Sequence, residues 1–430
     1  MPGRILVDTT PLRESRDFRL LFIGQLISVI GTQLTVVAIP YQVFSMTHST
    51  LQVGAISLAQ LFPFLAGALS AGPIGDSVDK RRIMVWTALA LMLTSAAMAI
   101  NAAVAHPSLV VLYVVSALAA GLFGFSSTAR SAAVPGMVER RHLPAAAAMT
   151  QIVFQVGVIV GPALSGLLLG IGLPLVFGLD AASFVVAAVT SAMLRPIPPA
   201  HDAGGLTPWQ STKEGLRYLR SRQALQGVYL IDINAMVFGM PRALFPALAT
   251  TLFGGGASTL GFLYAAPGAG ALVGALTTGW VSRIRRQGLA VIVAVLAWGV
   301  AITCFGLVSW LPGALALLAV AGWADVISAV FRNTIIQLAV PDALRGRLSG
   351  LQIAVVAGGP RVGDLEAGAV AAAFGDTVSV VSGGLACIAG ALVLARLLPG
   401  FRQQRTPTVQ RELIDGAGPS GHGLNPPASE

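Results

Sequence analysis

The sequence predicts an all-α membrane protein in which twelve transmembrane helices form two pseudo-symmetric six-helix bundles. Of its 430 residues, 55% are hydrophobic and only 10% are charged, whereas a soluble domain carries about 25% charged residues. Apolar runs of about 20 residues, the length that crosses a bilayer as a helix, recur along nearly the whole chain. We expect the spans to begin near Phe18, Leu51, Ile83, Leu109, Ala146, Leu175, Leu225, Thr259, Gly288, Pro312, Leu348 and Val378.

An internal repeat divides these spans into two sets of six. Phe18 and Leu225, where the two sets begin, are 207 positions apart, as are Gly72 and Gly279 after the second and eighth spans. A Val-Pro pair follows the fourth span at 134–135 and the tenth at 340–341, an offset of 206. These offsets indicate a duplicated six-helix unit. The predicted domains are a cytoplasmic N-terminal segment (1–17), two bundles (18–195 and 225–398), a cytoplasmic linker (196–224) and a disordered cytoplasmic tail (399–430).

The distribution of positive charge predicts the orientation in the membrane. Of the 27 lysines and arginines, 25 fall in segments that alternate spans place on one side, among them Arg130 and Arg332. The positive-inside rule puts that side, with both termini, in the cytoplasm. The net charge of +9 therefore reflects topology, and we expect no nucleic-acid partner. The predicted location is the plasma (inner) membrane of a bacterium, with the lipid bilayer as surrounding partner.

The sequence offers no support for soluble-enzyme chemistry. The five histidines lie in turns or tails, away from any carboxylate or thiol cluster, and Cys304 and Cys387 lie in different spans. No phosphate-binding G-x-x-x-x-G-K-[ST] loop occurs in the chain. We therefore expect no enzymatic activity, metal site or cofactor, and a proton gradient as the source of energy.

Charged residues inside the predicted spans are the main functional candidates. Each such group at the centre of a span costs about 3 kcal/mol to insert, so it needs a partner or a role. Asp180, near the outer end of the sixth span, is interpreted as a helix cap. The candidates for proton coupling are Asp232, Arg242, Asp325, Arg361, Asp364 and Glu366.

Spacing within the eleventh span separates its three charges. Arg361 and Asp364 are three residues apart, about 60° around a helix, so they can pair directly, and a purely structural ion pair is the alternative interpretation. Glu366 points about 200° away from Asp364, and neither Glu366 nor Asp232 has a cation nearby in sequence. Desolvation favours the protonated form of a carboxylic acid. Glu366 and Asp232 are therefore predicted proton carriers.

A short charged hairpin, GPIGDSVDKRR, links the second and third spans. Its candidate gate residues are Gly72, Asp76, Lys80, Arg81 and Arg82, together with Arg130 at the next inner turn. The hairpin resembles the loop signature of the major facilitator superfamily, G-x-L-x-D-R-x-G-R-R, with Ser77 and Asp79 in place of an arginine and a glycine. We expect Asp76 to accept from the amide end of the eleventh helix near Leu348 or to pair with Arg130, closing a cytoplasmic gate.

The fifth span contains a second motif, GVIVGPALSG, which includes Gly157, Gly161, Pro162 and Gly166. It resembles the antiporter signature of the same superfamily, G-x-x-x-G-P-x-x-G-G, and the resemblance implies export. The glycines form a flat face and the proline removes an amide hydrogen bond, which predicts a closely packed, bendable helix. Simple glycine packing is the alternative. An offset of 207 would make Asp364 and Gly368 the equivalents of Gly157 and Gly161.

Longer stretches are similar to the enterobactin-exporter branch of the superfamily. They include FRLLFIGQLIS in the first span, GFLYAAPGAGALVGALTTG in the eighth and VPDALRGRLSGL before the eleventh. The resemblance implies proton-coupled export of a small amphipathic compound, a catecholate siderophore or a hydrophobic drug, by a transporter that functions as a monomer. Proton-coupled uptake by the same fold and a non-transporting membrane sensor or scaffold are the alternatives.

Overall fold

Twelve long helices make up almost all of the described chain. The computed structural model describes residues 8–75, 78–198 and 216–404, apart from the side chains of 72–75, 282, 342–350 and 353. The tail predicted to be disordered begins at residue 399, but Pro399–Arg402 forms a short helix with Phe401 buried. Residues beyond 404 lie outside this description. The helices are α1 Arg16–Thr47, α2 Thr50–Gly75, α3 Lys80–Ala103, α4 Leu109–Ala133, α5 Leu143–Leu169, α6 Leu173–Ala192, α7 Gln223–Phe238, α8 Ala257–Leu276, α9 Gln287–Leu307, α10 Leu311–Ala339, α11 Asp342–Phe374 and α12 Asp376–Leu397.

The helix starts agree closely with the predicted spans. Eleven of the twelve predicted starts lie within 3 residues of a helix start, and α11 begins 6 residues earlier than expected because its first turns are polar. Eleven helices of the described chain are long and apolar enough to cross a membrane. The other long helix, α11, has 33 residues and carries Arg361, Asp364 and Glu366.

Each helix pairing in the first half of the chain recurs in the second, which confirms the predicted pair of pseudo-symmetric bundles. In the first half, α1 packs on α5 and α6, α2 packs on α4, and α3 packs on α4 and α6. In the second half, α7 packs on α11 and α12, α8 packs on α10, and α9 packs on α10 and α12. Lipid-spanning helices associate through close packing of such faces rather than through hydrophobic burial.

The two bundles meet along two antiparallel helix pairs, α2 with α11 and α5 with α8. We call the end of the molecule where α1 begins the inner end, following the predicted topology, and the opposite end the outer end. Near the outer end, Gly54 lies against the backbone of Asp364 and Leu365, and Gly166 lies against Gly261. A side chain at either glycine would collide with backbone atoms, so both are needed for the close approach.

Local capping defines several helix ends. The hydroxyl of Ser15 accepts the backbone N–H of Phe18 at 3.1 Å at the start of α1. The carboxylate of Asp79 accepts the backbone N–H of Arg81 at 2.9 Å at the start of α3. His48 adopts a left-handed conformation, with a φ of 49°, directly after α1. These caps satisfy backbone groups that the helices leave unpaired at their ends.

Candidate functional site

The seventh span is interrupted near its outer end. α7 ends at Phe238, and a 3-10 turn, Arg242–Leu244, separates it from a short helix, Phe245–Thr251. The prolines on either side of that turn cannot donate a backbone hydrogen bond, which explains the interruption. The indole N–H of Trp298 donates to the carbonyl of Gly239 at 2.7 Å, so one group freed by the break is satisfied. Irregular backbone at membrane depth is tolerated only where protein or water satisfies it.

The carboxylate of Asp364 lies at this break and joins the two bundles. Its Oδ1 accepts the backbone N–H of Ala243 at 3.2 Å. Ser57, on α2 of the other bundle, lies beside the same carboxylate, and the guanidinium of Arg242 lies within electrostatic range. The phenol of Tyr264 donates to the backbone carbonyl of Arg242 at 3.2 Å. Asp364 is therefore in contact with both bundles and with the α7 break.

Arg361 does not form the direct ion pair with Asp364 that its spacing allows. Its Nη1 donates to the carbonyl of Ala357 at 2.7 Å, and its guanidinium lies 4.8 Å from the centre of the Phe64 ring. No ion pair within 4.0 Å joins Arg361 to an acid in the described part of the chain. Because Phe64 belongs to α2, the cation–π contact is a second link between the bundles.

A second charged cluster lies deeper, between α7 and α10. Arg332 forms a buried ion pair with Asp232 through Nη1 and approaches Asp325 at 3.5 Å through Nη2. The prediction that Asp232 lacks a cation is therefore wrong, and so is the placement of Arg332 among the inner loops. The side chains of Arg332 and Asp232 are 9% and 10% exposed, whereas that of Asp325 is 33% exposed. Asp325 is thus the least enclosed acid of this cluster.

Arg242 links the two clusters. Its guanidinium lies within electrostatic range of both Asp364 and Asp325, although no ion pair within 4.0 Å joins it to either acid among the described residues. Acids and arginines therefore alternate from the bundle interface into the second bundle. We call this set the charged row, and it consists of Asp364, Arg242, Asp325, Arg332 and Asp232.

Glu366 stands apart from the charged row. It is half-buried on α11, and neither a hydrogen bond nor an ion pair joins it to another of the described side chains. It lies in the same helix turn as Asp364 but does not share the contacts of that carboxylate with Ser57 and Ala243. A role in proton coupling remains a prediction for Glu366.

At the inner end, the hairpin between α2 and α3 is tied to the chain that follows α6. The carboxylate of Asp79 accepts the backbone N–H of Ile197 at 3.0 Å, and the guanidinium of Arg81 donates to the carbonyl of Ala192. Asp76 and its proposed contacts lie outside the described residues, and for Gly72 only the helical backbone is described. The remaining predicted gate cations are described, with Lys80 at the first residue of α3, Arg82 exposed two residues later and Arg130 in the last turn of α4.

The glycine motif of α5 has a structural counterpart in α11, but at an offset of 202 rather than 207. The contacts of the glycines establish this match. Each α5 glycine and its α11 counterpart contact residues that are 207 positions apart: two of the pairs contact α1 and α7, and the third contacts α8 and α2. The matched contacts are Gly157 with Val29 and Gly359 with Met236, Gly161 with Ile30 and Gly363 with Val237, and Gly166 with Ala257 and Gly368 with Thr50.

Pro162 is therefore the equivalent of Asp364, and the expected match of Asp364 with Gly157 is wrong. The shift arises because α9 and the loop after it are together five residues shorter than α3 and its loop. In α5 the motif reads G-x-x-x-G-P-x-x-x-G and in α11 it reads G-x-x-x-G-D-x-x-x-G. The same pattern of glycines thus includes a proline in the first bundle and the carboxylate of Asp364 in the second.

Asp180 is not the helix cap that its position in the sequence indicates. It is the eighth residue of α6 and is 2% exposed. The hydroxyls of Thr35 on α1 and Ser95 on α3 each donate to its Oδ2 at 2.7 Å. Asp180 is therefore an interior polar residue of the first bundle.

Comparison with known sequences identifies related proteins over nearly the full length. The model of the transmembrane secretion effector family matches residues 8–411. The enterobactin exporter EntS of Citrobacter koseri is 30% identical over 404 residues, 94% of this chain and 96% of that protein. EntS of Escherichia coli O157:H7 is 30% identical over 413 residues, 96% and 99% of the two chains.

Solved structures with the same fold have much lower sequence identity. A point mutant of the nucleoside transporter NupG aligns with a TM-score of 0.72 at 12% identity, covering 90% of this chain and 100% of that one. A POT family transporter in complex with 5-aminolevulinic acid aligns with a TM-score of 0.69 at 11% identity, covering 90% and 97%. At these identities the likeness establishes the fold alone.

Proposed function

The chain belongs to the transmembrane secretion effector family, within the major facilitator superfamily, and from this membership we propose that it exports a small amphipathic compound in exchange for protons. The protein is a multi-pass membrane transporter and not an enzyme. The two EntS proteins, which are enterobactin exporters, support outward transport of a catecholate siderophore or of a drug of similar character. The proposed location is the bacterial inner membrane, with both termini in the cytoplasm and a single chain as the working unit.

The observation that carries the proposal is the position of Asp364 in the charged row. Alternating access requires the outer halves of α2 and α11 to separate. Asp364 lies beside Ser57 of α2 on one side and accepts the backbone N–H of Ala243 on the other. Protonation would remove the negative charge that these donors and Arg242 stabilise. The outer face would then open more readily with Asp364 neutral than with it ionised.

The charged row offers a route by which the proton can leave towards the cytoplasm. When Asp364 is neutral, Arg242 is free to act on Asp325, which is the least enclosed acid and which competes with Asp232 for Arg332. Asp232 and Asp325 share the guanidinium of Arg332, so one of the two carboxylates is left to take up and release a proton. Arrival of cargo from the inner side would favour this release, so that a proton is given up to the cytoplasm when cargo binds.

The energy of one proton is sufficient for this role. A proton that enters across 100 mV and one pH unit releases about 2.3 plus 1.4 kcal/mol, which sustains a gradient of several hundredfold for a neutral solute.

The test uses inverted membrane vesicles, in which the cytoplasmic face is outward. With the interior acidified, vesicles that contain the protein should accumulate an iron-free catecholate siderophore or a macrolide, and a protonophore should abolish the accumulation. Accumulation only in right-side-out vesicles with an acidic exterior would instead establish uptake. Movement of neither compound, in vesicles that retain the folded protein, would contradict export of this substrate class.

A further inference from the structure

Asp180 has an unequal set of hydrogen bonds for a buried carboxyl group. Its Oδ2 accepts hydroxyl hydrogens from both Thr35 and Ser95 at 2.7 Å. Its Oδ1 is buried as well, yet accepts no hydrogen bond in the described structure. An ionised carboxylate needs donors on both oxygens, because the charge is shared between them. The observed arrangement satisfies only one of the two.

No cation faces this carboxyl group from the helices that pack on α6, which are α1, α3 and α5. α5 has no charged residue, and Asp180 is the only charged residue of α6. The charges of α1 and α3 lie in their first turns, at least 13 residues before Thr35 and Ser95, which is about 20 Å along a helix. Those first-turn charges are Arg16, Asp17, Arg19, Lys80, Arg81 and Arg82.

The other titratable residue of these helices also faces elsewhere. Tyr41 of α1 is six positions beyond Thr35, about 240° around the helix axis. The carboxyl group of Asp180 is therefore surrounded by hydroxyls and apolar side chains. A negative charge there would have neither a counter-ion nor a complete set of donors.

A proton on Oδ1 would complete the hydrogen bonding. Ser183 lies beside the carboxyl group and donates its own hydroxyl hydrogen to the backbone carbonyl of Asp180 at 2.7 Å. The oxygen of Ser183 is left as an acceptor for a hydrogen on Oδ1, while Oδ2 continues to accept from Thr35 and Ser95. We propose that Asp180 holds a proton in this conformation and is a proton-binding site of the first bundle, separate from the charged row. This inference is independent of the direction and the cargo of transport.

Infrared spectroscopy of the purified full chain in lipid nanodiscs tests the inference directly. The carbonyl stretch of a protonated carboxylic acid is separated from the bands of ionised carboxylates, and Asp180→Asn removes this group with little change in size. We expect the wild-type minus D180N spectrum at neutral pH to show one protonated-carboxyl band. A difference spectrum that shows carboxylate bands instead would overturn the proposal. Glu139→Gln removes an exposed carboxylate that pairs with Arg141 at 2.8 Å; it is the matched control and should remove no protonated-carboxyl band.

A second variant keeps the test valid if D180N does not fold. Thr35→Val removes one donor to Oδ2 and leaves the carboxyl group in place. The band assigned to Asp180 should then shift in frequency without loss of intensity. An unchanged protonated-carboxyl region in T35V would contradict the assignment.

Discussion

α5 and α11 are equivalent helices of the two bundles, and the comparison separates packing from chemistry. Both use glycines at the same three places to approach a neighbouring helix of their own bundle and a helix of the other bundle. Among the positions between these glycines that differ, the one directly after the second glycine is Pro162 in α5 and Asp364 in α11. The packing is therefore shared, and the ionisable group that touches both bundles is found in α11.

The two contacts between the bundles, α5 with α8 and α2 with α11, therefore differ in their charged residues. The face of α5 and α8 has no charged residue within either helix. The face of α2 and α11 contains Asp364, Arg361 and their partners Ser57 and Phe64. We therefore expect a change in protonation to act directly on the face of α2 and α11 and not on the face of α5 and α8.

The largest expected effect is that of replacing the carboxyl group itself. Asp364→Asn keeps the size and can still accept from Ala243, but it cannot alternate between charged and neutral forms. Proton-driven accumulation of cargo in inverted vesicles should fall from about several hundredfold towards equilibration. Exchange of labelled for unlabelled cargo without a gradient should continue, because that process needs no net proton movement.

If D364N still accumulates cargo fully in response to a proton gradient, Asp364 is not needed for proton coupling. α11 would then not differ from α5 in this role. Asp364→Glu is the matched control, and it should restore part of the accumulation because the ionisable group is kept.

A second large effect is expected at the buried ion pair. Arg332→Met leaves Asp232 without its cation, and breaking a buried pair costs about 3–5 kcal/mol of stability. The double variant Arg332→Met with Asp232→Asn should recover most of this loss, as measured by thermal unfolding in detergent. Equal destabilisation of the single and double variants would contradict a role for the ion pair in stability.

The glycine packing shared by α5 and α11 predicts smaller losses of stability, similar in the two helices. An added Cβ at Gly363 would lie 2.5 Å from the carbonyl oxygen of Met236, and one at Gly161 would lie 3.2 Å from that of Ile30. Gly363→Ala and Gly161→Ala should each cost about 1–3 kcal/mol of stability. Gly178→Ala is the control, because a Cβ there meets nothing within 4 Å. If the motif variants unfold at the same temperature as G178A, the two glycines do not set the helix approach.

The smallest effect on coupling is expected at the counterpart of Asp364. Pro162→Ala restores a backbone N–H to α5 without adding a charge. Transport should remain proton-driven in P162A, although its rate can change with the stiffness of the helix. Loss of proton dependence in this variant would assign coupling to the helix bend rather than to the carboxylate.

The sequence predicted the fold well because apolar length and positive charge are local signals. The helix starts, the duplication and the presence of Asp364 in the eleventh span could all be derived without coordinates. Pairing between helices could not, since Asp232 and Arg332 are 100 residues apart and meet only through the rotation of α7 and α10. The order of the charged row depends on the same rotations.

Arg332 shows why a residue near a span end is difficult to place. It is the 22nd residue of α10, just as Arg130 is the 22nd residue of α4. α4 ends three residues later, whereas α10 continues for seven more. The additional residues enclose Arg332 within the bundle, and a buried acid, Asp232, is available to pair with it. A search for an acid in another span to match each arginine near a span end would have found this candidate.

The most direct test of the central claim is a count of protons released when cargo binds. Purified wild-type and D364N proteins would be mixed with cargo in a weakly buffered solution that contains a pH-sensitive dye. We expect the wild type to release protons in proportion to bound cargo and D364N to release fewer by the share that Asp364 carries. Equal release from the two proteins, at equal cargo binding, would contradict the assignment of proton exchange to Asp364.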